Sequence, residues 1–426
     1  MTDRRPGEPT GYRLPVTRLT RRLGTGDAVV IGLGSMIGAG VFAAFAPAAR
    51  AAGAGLLIGL ALAAIVAYCN ATSSARLAAR YPESGGTYVY GRERLGEFWG
   101  YLAGWGFVVG KTASCAAMAL TVAAYTAPGA GRFAQSLVAA AAVLALTALN
   151  YRGVQRSVTV TKVIVSITLV VLTTAVVALA TAGAPDPGHL TPAIDAGGIL
   201  QSAGLLFFAF AGYARVATLG EEVRDPERTI PRAIPIALAI TLVVYAVVAV
   251  FLLLQLGPDE LASTSDPIAT AIAGTSWSAL TPVVRAGAAL AALGSLLALV
   301  LGVSRTTFAM ARDGHLPAPL AAVHPRFGVP HRAEVAVGVV VAALVLVTDL
   351  RGAIGFSSFA VLTYYAIANA SAWTLGTRRV VPVVGLIGCV VLAFSLPLAS
   401  VITGVAVLAV GAFAYLVLSR RDNASS

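Results

Sequence analysis

Backbone-ligand chemistry is written into two stretches of this chain. The first, Gly32-Leu33-Gly34-Ser35-Met36-Ile37-Gly38-Ala39-Gly40-Val41-Phe42, carries four glycines inside an uncharged run between Asp27 and Arg50. Glycine in a helix interior costs about 1 kcal/mol relative to alanine. At membrane depth no water satisfies freed backbone groups, so irregular backbone survives there only when buried in protein or lining a polar cavity. A helix broken in that way offers free amides to an anion and free carbonyls to a cation. Close packing through small residues is the competing use of such glycines. The second stretch runs from Phe207-Phe208-Ala209-Phe210 through Ala211-Gly212-Tyr213 to Arg215 and the polar Glu221-Glu222. It falls five apolar spans after the first. Paired interruptions at matching places in two halves of a chain point to a carrier built from inverted repeats, which packing alone does not predict.

Three cations fall inside apolar segments: Lys111, Lys162 and Arg215. An ionisable group at membrane depth is a functional hypothesis by default. Lys111 lies near the middle of its span, too deep to snorkel comfortably, and reads either as functional or as packed beside a polar cavity. Lys162 reads either as a lysine snorkelling to the headgroups or as a desolvated ammonium that exchanges a proton. Other chemistries find no support. Gly110-Lys111-Thr112 imitates the end of a phosphate loop, but Trp105 stands where that pattern needs glycine and no strand precedes it. No G-x-S-x-G elbow, His/Glu metal motif or repeated channel filter occurs. His189, His315, His324 and His331 fall in predicted loops and read as solvated bystanders. Cys69, Cys115 and Cys389 sit in apolar segments without metal-like spacing. The expectation is a protein with no catalytic residues, no metal and no cofactor.

The elements that position these residues are membrane helices. Of 426 residues 58% are hydrophobic and 12% charged, with mean hydropathy +0.83; about 20 apolar residues suffice for one span. The net charge of +11 is arginine placed between apolar segments, which sets orientation and does not indicate nucleic acid. Uncharged windows fall at 28–49, 51–75, 133–151, 163–185, 196–214, 233–258, 286–304, 352–377 and 380–419, the last dividing at Pro397. Weaker spans at 98–127, interrupted by Lys111, and at 335–348 complete a set of about twelve helices. One side of this arrangement carries 23 arginines and the other four, Arg50, Arg132, Arg285 and Arg351. Both termini are therefore expected in the cytoplasm. Residues 1–26 read as a cytoplasmic tail without a signal peptide, and 420–426 as a second tail. The fold class is an all-α polytopic membrane protein. The first five-helix repeat covers 27–185, a second, inverted one covers 196–377, and helices eleven and twelve occupy 378–419.

Three ordered signatures carry a family resemblance over roughly residues 26 to 376. The glycine stretch matches G-S/A-x-I-G-x-G-I/V-F. Phe207 to Tyr213 match F-x-A-F-x-G-aromatic, followed by Glu221-Glu222-Val223-Arg224-Asp225-Pro226-Glu227-Arg228-Thr229-Ile230-Pro231-Arg232. Ser304-Arg305 to Met310-Ala311-Arg312-Asp313-Gly314-His315-Leu316-Pro317 matches the end of the eighth span. Together they resemble the amino acid–polyamine–organocation (APC) permeases. The resemblance implies two inverted five-helix repeats with broken helices 1 and 6, plus two C-terminal helices. It implies substrate contacts at Ser35, Met36, Ile37, Gly38, Ala39 and Gly40 and at Phe208, Ala209 and Ala211, with Phe208 at an aromatic gate. Lys162 looks like the lysine of span five that replaces a sodium ion in proton-coupled members. Ala214 departs from basic amino acid antiporters, which carry an acid there.

A zwitterion held by amides and carbonyls explains why glycines fill the site; Phe210 and Gly212 complete the expected substrate surface. The partners implied are a neutral amino acid, a proton and the lipid bilayer of the cell membrane, in secondary active transport. The alternatives are an amino acid exchanger or exporter, a polyamine or cationic amino acid permease, and a transporter-like membrane sensor. Oligomeric state is not legible.

Overall fold

The computed structural model describes residues 23–81, 85–153, 158–192, 194–213, 216 and 223–425. Every regular element among them is helical, apart from one bridge pairing Leu23 with Val223. The chain begins with α1 (Thr25–Met36), α2 (Ala39–Ala43) and α3 (Phe45–Ala52), and continues through α4 (Leu56–Arg80), α5 (Thr87–Leu95) and α6 (Glu97–Thr126). Then come α7 (Arg132–Tyr151), α8 (Val158–Ala182), α9 (Ala196–Phe210), α10 (Pro226–Ser263) and α11 (Pro267–Ala273). The remainder is α12 (Thr281–Arg312), α13 (His331–Val347), α14 (Leu350–Trp373), α15 (Val380–Phe394) and α16 (Leu398–Ser425). Ten helices among the described residues are long and apolar enough to cross a membrane, and α15 is a shorter apolar helix.

Local chemistry sets the boundaries that matter for the site. Asp27 reaches back to accept a hydrogen bond from Gly24 N (3.1 Å), fixing the start of α1. Asp195 caps α9 by accepting from Gly197 and Gly198 N, both at 3.0 Å. Gly53, at φ +54°, turns the chain from α3 toward α4 in a conformation that favours glycine. Pro397 separates α15 from α16, as the sequence indicates. The third span, expected over 98–127 with the charge of Lys111 inside it, is α6, which runs unbroken for 30 residues. A lysine does not break a helix whose own hydrogen bonds stay intact; it only needs a partner for its ammonium.

Helices α6, α9 and α14 form the most buried part of the bundle, while α7, α8 and α16 are mostly peripheral. Phe133, Val170 and Phe413 are exposed on that periphery, as expected of a lipid-facing surface. Inside, α4, α14 and α15 are tied by a buried polar cluster. Ser73 Oγ donates to Asn369 Oδ1 (2.7 Å), and Asn369 Nδ2 donates to Asn70 Oδ1 (2.6 Å). Cys389 Sγ donates to the same Asn70 oxygen at 3.3 Å. All three cysteines are buried and free.

Candidate substrate site between two broken helices

The glycines of the first stretch divide between the two uses considered for them. A Cβ at Gly32 would meet Val216 Cγ2 at 2.9 Å, and one at Gly34 would meet Thr161 Cγ2 at 2.9 Å. These two let α1 pack closely on its neighbours. Gly38 and Gly40 belong to the break itself. Helix α1 ends at Met36, Gly38 adopts φ −119° and ψ −126°, and helix resumes at Ala39. Helix α9 ends at Phe210 and tightens into a single 3-10 turn, Ala211–Tyr213. Arg215 lies outside the described residues, as do Ala214, Glu221 and Glu222.

The two breaks face each other backbone to backbone. A Cβ on Gly212 would collide with the carbonyl of Ser35, and one on Gly40 would lie 2.8 Å from Ala209 Cα. Tyr245 of α10 bridges them. Its hydroxyl donates to Met36 O at 2.6 Å and shares Ala209 O at 3.0 Å, so one side chain serves a freed carbonyl on each broken helix. Ser295 of α12 donates to Gly34 O at 3.3 Å. Lys111, only 6% exposed, donates from Nζ to Ala211 O at 3.1 Å. The Tyr365 hydroxyl approaches the same carbonyl at 3.4 Å. Four carbonyls at the breaks thus meet side-chain donors, as burial away from water requires.

A cavity of about 490 Å³ opens from the breaks. Its deep end is lined by Ser35, Met36, Gly40, Phe208, Ala211 and Lys111, and it continues along α12 past Ser295 and Arg305 to Tyr88 and Asp313. Ala39, Ala209 and Gly212 also line it. Three expected contacts do not. Ile37 is buried away from it, Gly38 faces the Ser295 side chain, and the Phe210 ring packs against Tyr245 with centroids 5.1 Å apart. In a helix that ends at Phe210, the ring of residue 208 can face the opening while that of residue 210 turns into the bundle. Lys162 is not on the cavity wall either. It pairs with Asp27 at 2.7 Å, next to the start of α1, with its side chain about half exposed.

At the far end of the cavity a polar cluster joins α5 to the segment after α12. Tyr88 donates its hydroxyl proton to Asp313 Oδ2 (2.8 Å) and lies 2.9 Å from His315 Nδ1, which therefore carries the hydrogen that the tyrosine oxygen accepts. Arg92 and Arg312 flank Asp313 at 3.9 and 3.7 Å. Burial and the Asp313 carboxylate push the Tyr88 hydroxyl well above its usual pKa, and burial holds the His315 imidazole below its own. His315 also packs edge-on against Tyr101, so it is no solvated bystander. Sequence reasoning missed it because the residues around it come from α5, α6 and α16, far away in the chain. Tyr245 and Ser295 were missed for a related reason. Each is a lone hydroxyl in an apolar run, and its partner is a backbone atom that the sequence does not mark.

The comparisons with known proteins agree with this architecture. The profile of the family described as "Amino acid permease" matches residues 27–378. An uncharacterized transporter of Mycobacterium tuberculosis is 68% identical over 421 aligned residues, covering 97% of this chain and 94% of that protein. The branched-chain amino acid permease BcaP of Bacillus subtilis is 26% identical over 440, covering 95% and 94%. The vacuolar cationic amino acid transporter 4 of Arabidopsis thaliana is 31% identical over 361, covering 78% of this chain and 59% of that protein. With a family match over most of its length and membrane-length helices throughout, the chain belongs to the amino acid permease family of the APC superfamily.

Proposed function

We propose that this protein is a secondary active carrier of neutral, zwitterionic amino acids in the cell membrane, coupled to protons and working by alternating access around the breaks at 37–38 and 211–213. The observation that carries the reading is the meeting of two interrupted helices, backbone against backbone, at the head of one cavity. The amides where helix resumes at Ala39 suit a carboxylate, and the carbonyls at the end of α9 suit an ammonium. Phe208 and Met36 offer the apolar surface for a side chain. Two inverted five-helix repeats followed by α15 and α16, with both termini cytoplasmic, are the arrangement that the arginine distribution and the paired breaks favour.

Relatives bear names that include branched-chain and cationic amino acid transport, and the cavity chemistry favours the first. Lys111 and Arg305 lie on its wall, whereas the one carboxylate among its described lining residues, Asp313, already meets Tyr88, Arg92 and Arg312. A cationic side chain would enter without a free counter-charge, and an unpaired buried charge costs several kcal/mol. A thermal-shift screen of the purified protein against all amino acids and common amines tests the reading. Stabilisation by leucine, alanine or serine is expected. Stabilisation by arginine or putrescine alone contradicts it.

Proton coupling is assigned to Lys162 and its partner Asp27. Their contact at 2.7 Å couples the start of α1 to α8, the helix that α1 also meets at Gly34. A proton on or off that pair changes what holds α1 in place.

A further inference from the structure

A helix that stops inside a bundle leaves its last carbonyls without intrahelical partners, and their partial negative charge attracts a cation. At the end of α9 that place is already taken. Lys111 Nζ sits 3.1 Å from Ala211 O, on a side chain 6% exposed, and both residues line the cavity. No carboxylate among the described residues pairs with Lys111. Its one hydrogen-bond acceptor is the broken helix, in the geometry an amino acid's own ammonium would need.

We infer that Lys111 is a tethered occupant of the ammonium subsite: its side chain holds the Ala211 carbonyl while the site is empty, and substrate must dislodge it to bind. This rests on the reading above in that the substrate carries an amino group. Two ammonium groups cannot both sit on one carbonyl, since like charges a few ångströms apart beside buried protein repel far more than in bulk water. The flexible four-carbon stem of lysine lets it swing away, and Tyr365, 3.4 Å from the same oxygen, stays behind as a second donor. Self-occupancy explains how a carbonyl freed for binding escapes the cost of being buried and unpaired in the empty carrier. It also weakens the grip on substrate, which a carrier needs in order to release it. A lysine that instead held the substrate's carboxylate would act with the opposite sign.

The test uses the full-length protein in detergent, titrated with n-butylammonium, leucine and the amine-free 4-methylpentanoate, and followed by thermal unfolding. In Lys111→Ala, n-butylammonium should stabilise the protein where the wild type shows no response. Leucine should bind about tenfold more tightly than to the wild type, and 4-methylpentanoate should gain nothing. Lys111→Met, which keeps the bulk of the side chain, carries the same expectation for leucine should the alanine variant fold poorly. Weaker leucine binding in both variants, or variants that ignore n-butylammonium and bind leucine as the wild type does, would overturn the inference. A response to n-butylammonium confined to the variants, with no response to leucine in any protein, would keep the subsite and refute the neutral amino acid reading. The two failures are therefore distinguishable.

Discussion

At the scale of single residues, the site is made by side chains that are missing and by a few that stand in for water. Gly212 and Gly40 leave no room for a Cβ between the broken helices. Gly212→Ala should push the Ser35 carbonyl aside and lower substrate affinity by at least about tenfold, with the protein still inserted in the membrane; ligand-induced thermal shift measures this. Unchanged affinity in Gly212→Ala and Gly40→Leu would remove the breaks from the site. Tyr245→Phe strips the donor shared by Met36 O and Ala209 O. Leaving buried acceptors unpaired costs about 1–3 kcal/mol, so a fall in melting temperature together with weaker substrate binding is expected. A variant as stable as the wild type would mean that other donors replace the hydroxyl. The glycines were legible in the sequence because their cost in a helix demands a reason. The hydroxyls were not, because a tyrosine or serine in an apolar run looks the same whether it faces lipid, a neighbour or a freed carbonyl.

Elements bring together what the chain keeps apart, and there the sequence was an uneven guide. It located both breaks, the division at Pro397 and the apolar middle of most spans, since each follows from glycine, proline or charge along a single segment. It left the role of Lys111 open and took His315 for a bystander because the groups that meet them come from elsewhere in the chain, the turn after α9 for the lysine and α5 for the histidine. Burial holds the His315 imidazole below its usual pKa while the unfolded chain keeps the ordinary value near 6.5. The unfolded chain therefore binds a proton first as pH falls. Stability from this group is complete above about pH 6.5 and declines as pH drops toward the native value. His315→Asn should flatten the part of the melting-temperature profile between pH 7 and 5 that this group causes. A profile as steep as that of the wild type would show that the Tyr88–Asp313–His315 cluster does not control the acid limb. The Lys162–Asp27 contact belongs to this scale as well, because it joins α8 to α1. Lys162→Ala and Asp27→Asn should each abolish accumulation driven by a pH gradient in proteoliposomes, and replacing sodium with choline should leave the wild type unaffected. Concentrative uptake by both variants would reduce the pair to a structural tie.

For the whole molecule, the central claim is that two broken helices, meeting over one cavity, carry a neutral amino acid across the membrane. Composition was enough to place the chain in a bilayer. The arginine pattern suggested how it is oriented, and the family match over residues 27–378 supports amino acid transport. The proposed neutral substrate, already expected from the sequence, rests also on the balance of cations and carboxylates along the wall that α6 and α12 share. Counterflow in proteoliposomes tests the claim most directly: vesicles loaded with unlabelled leucine take up labelled leucine, and each substrate class is added outside as a competitor. The account predicts uptake by the wild type that is inhibited by alanine or serine, is insensitive to arginine and putrescine, and is lost in Gly40→Leu. Uptake inhibited by arginine or putrescine and untouched by the neutral amino acids, or retained in full by Gly40→Leu, would contradict it.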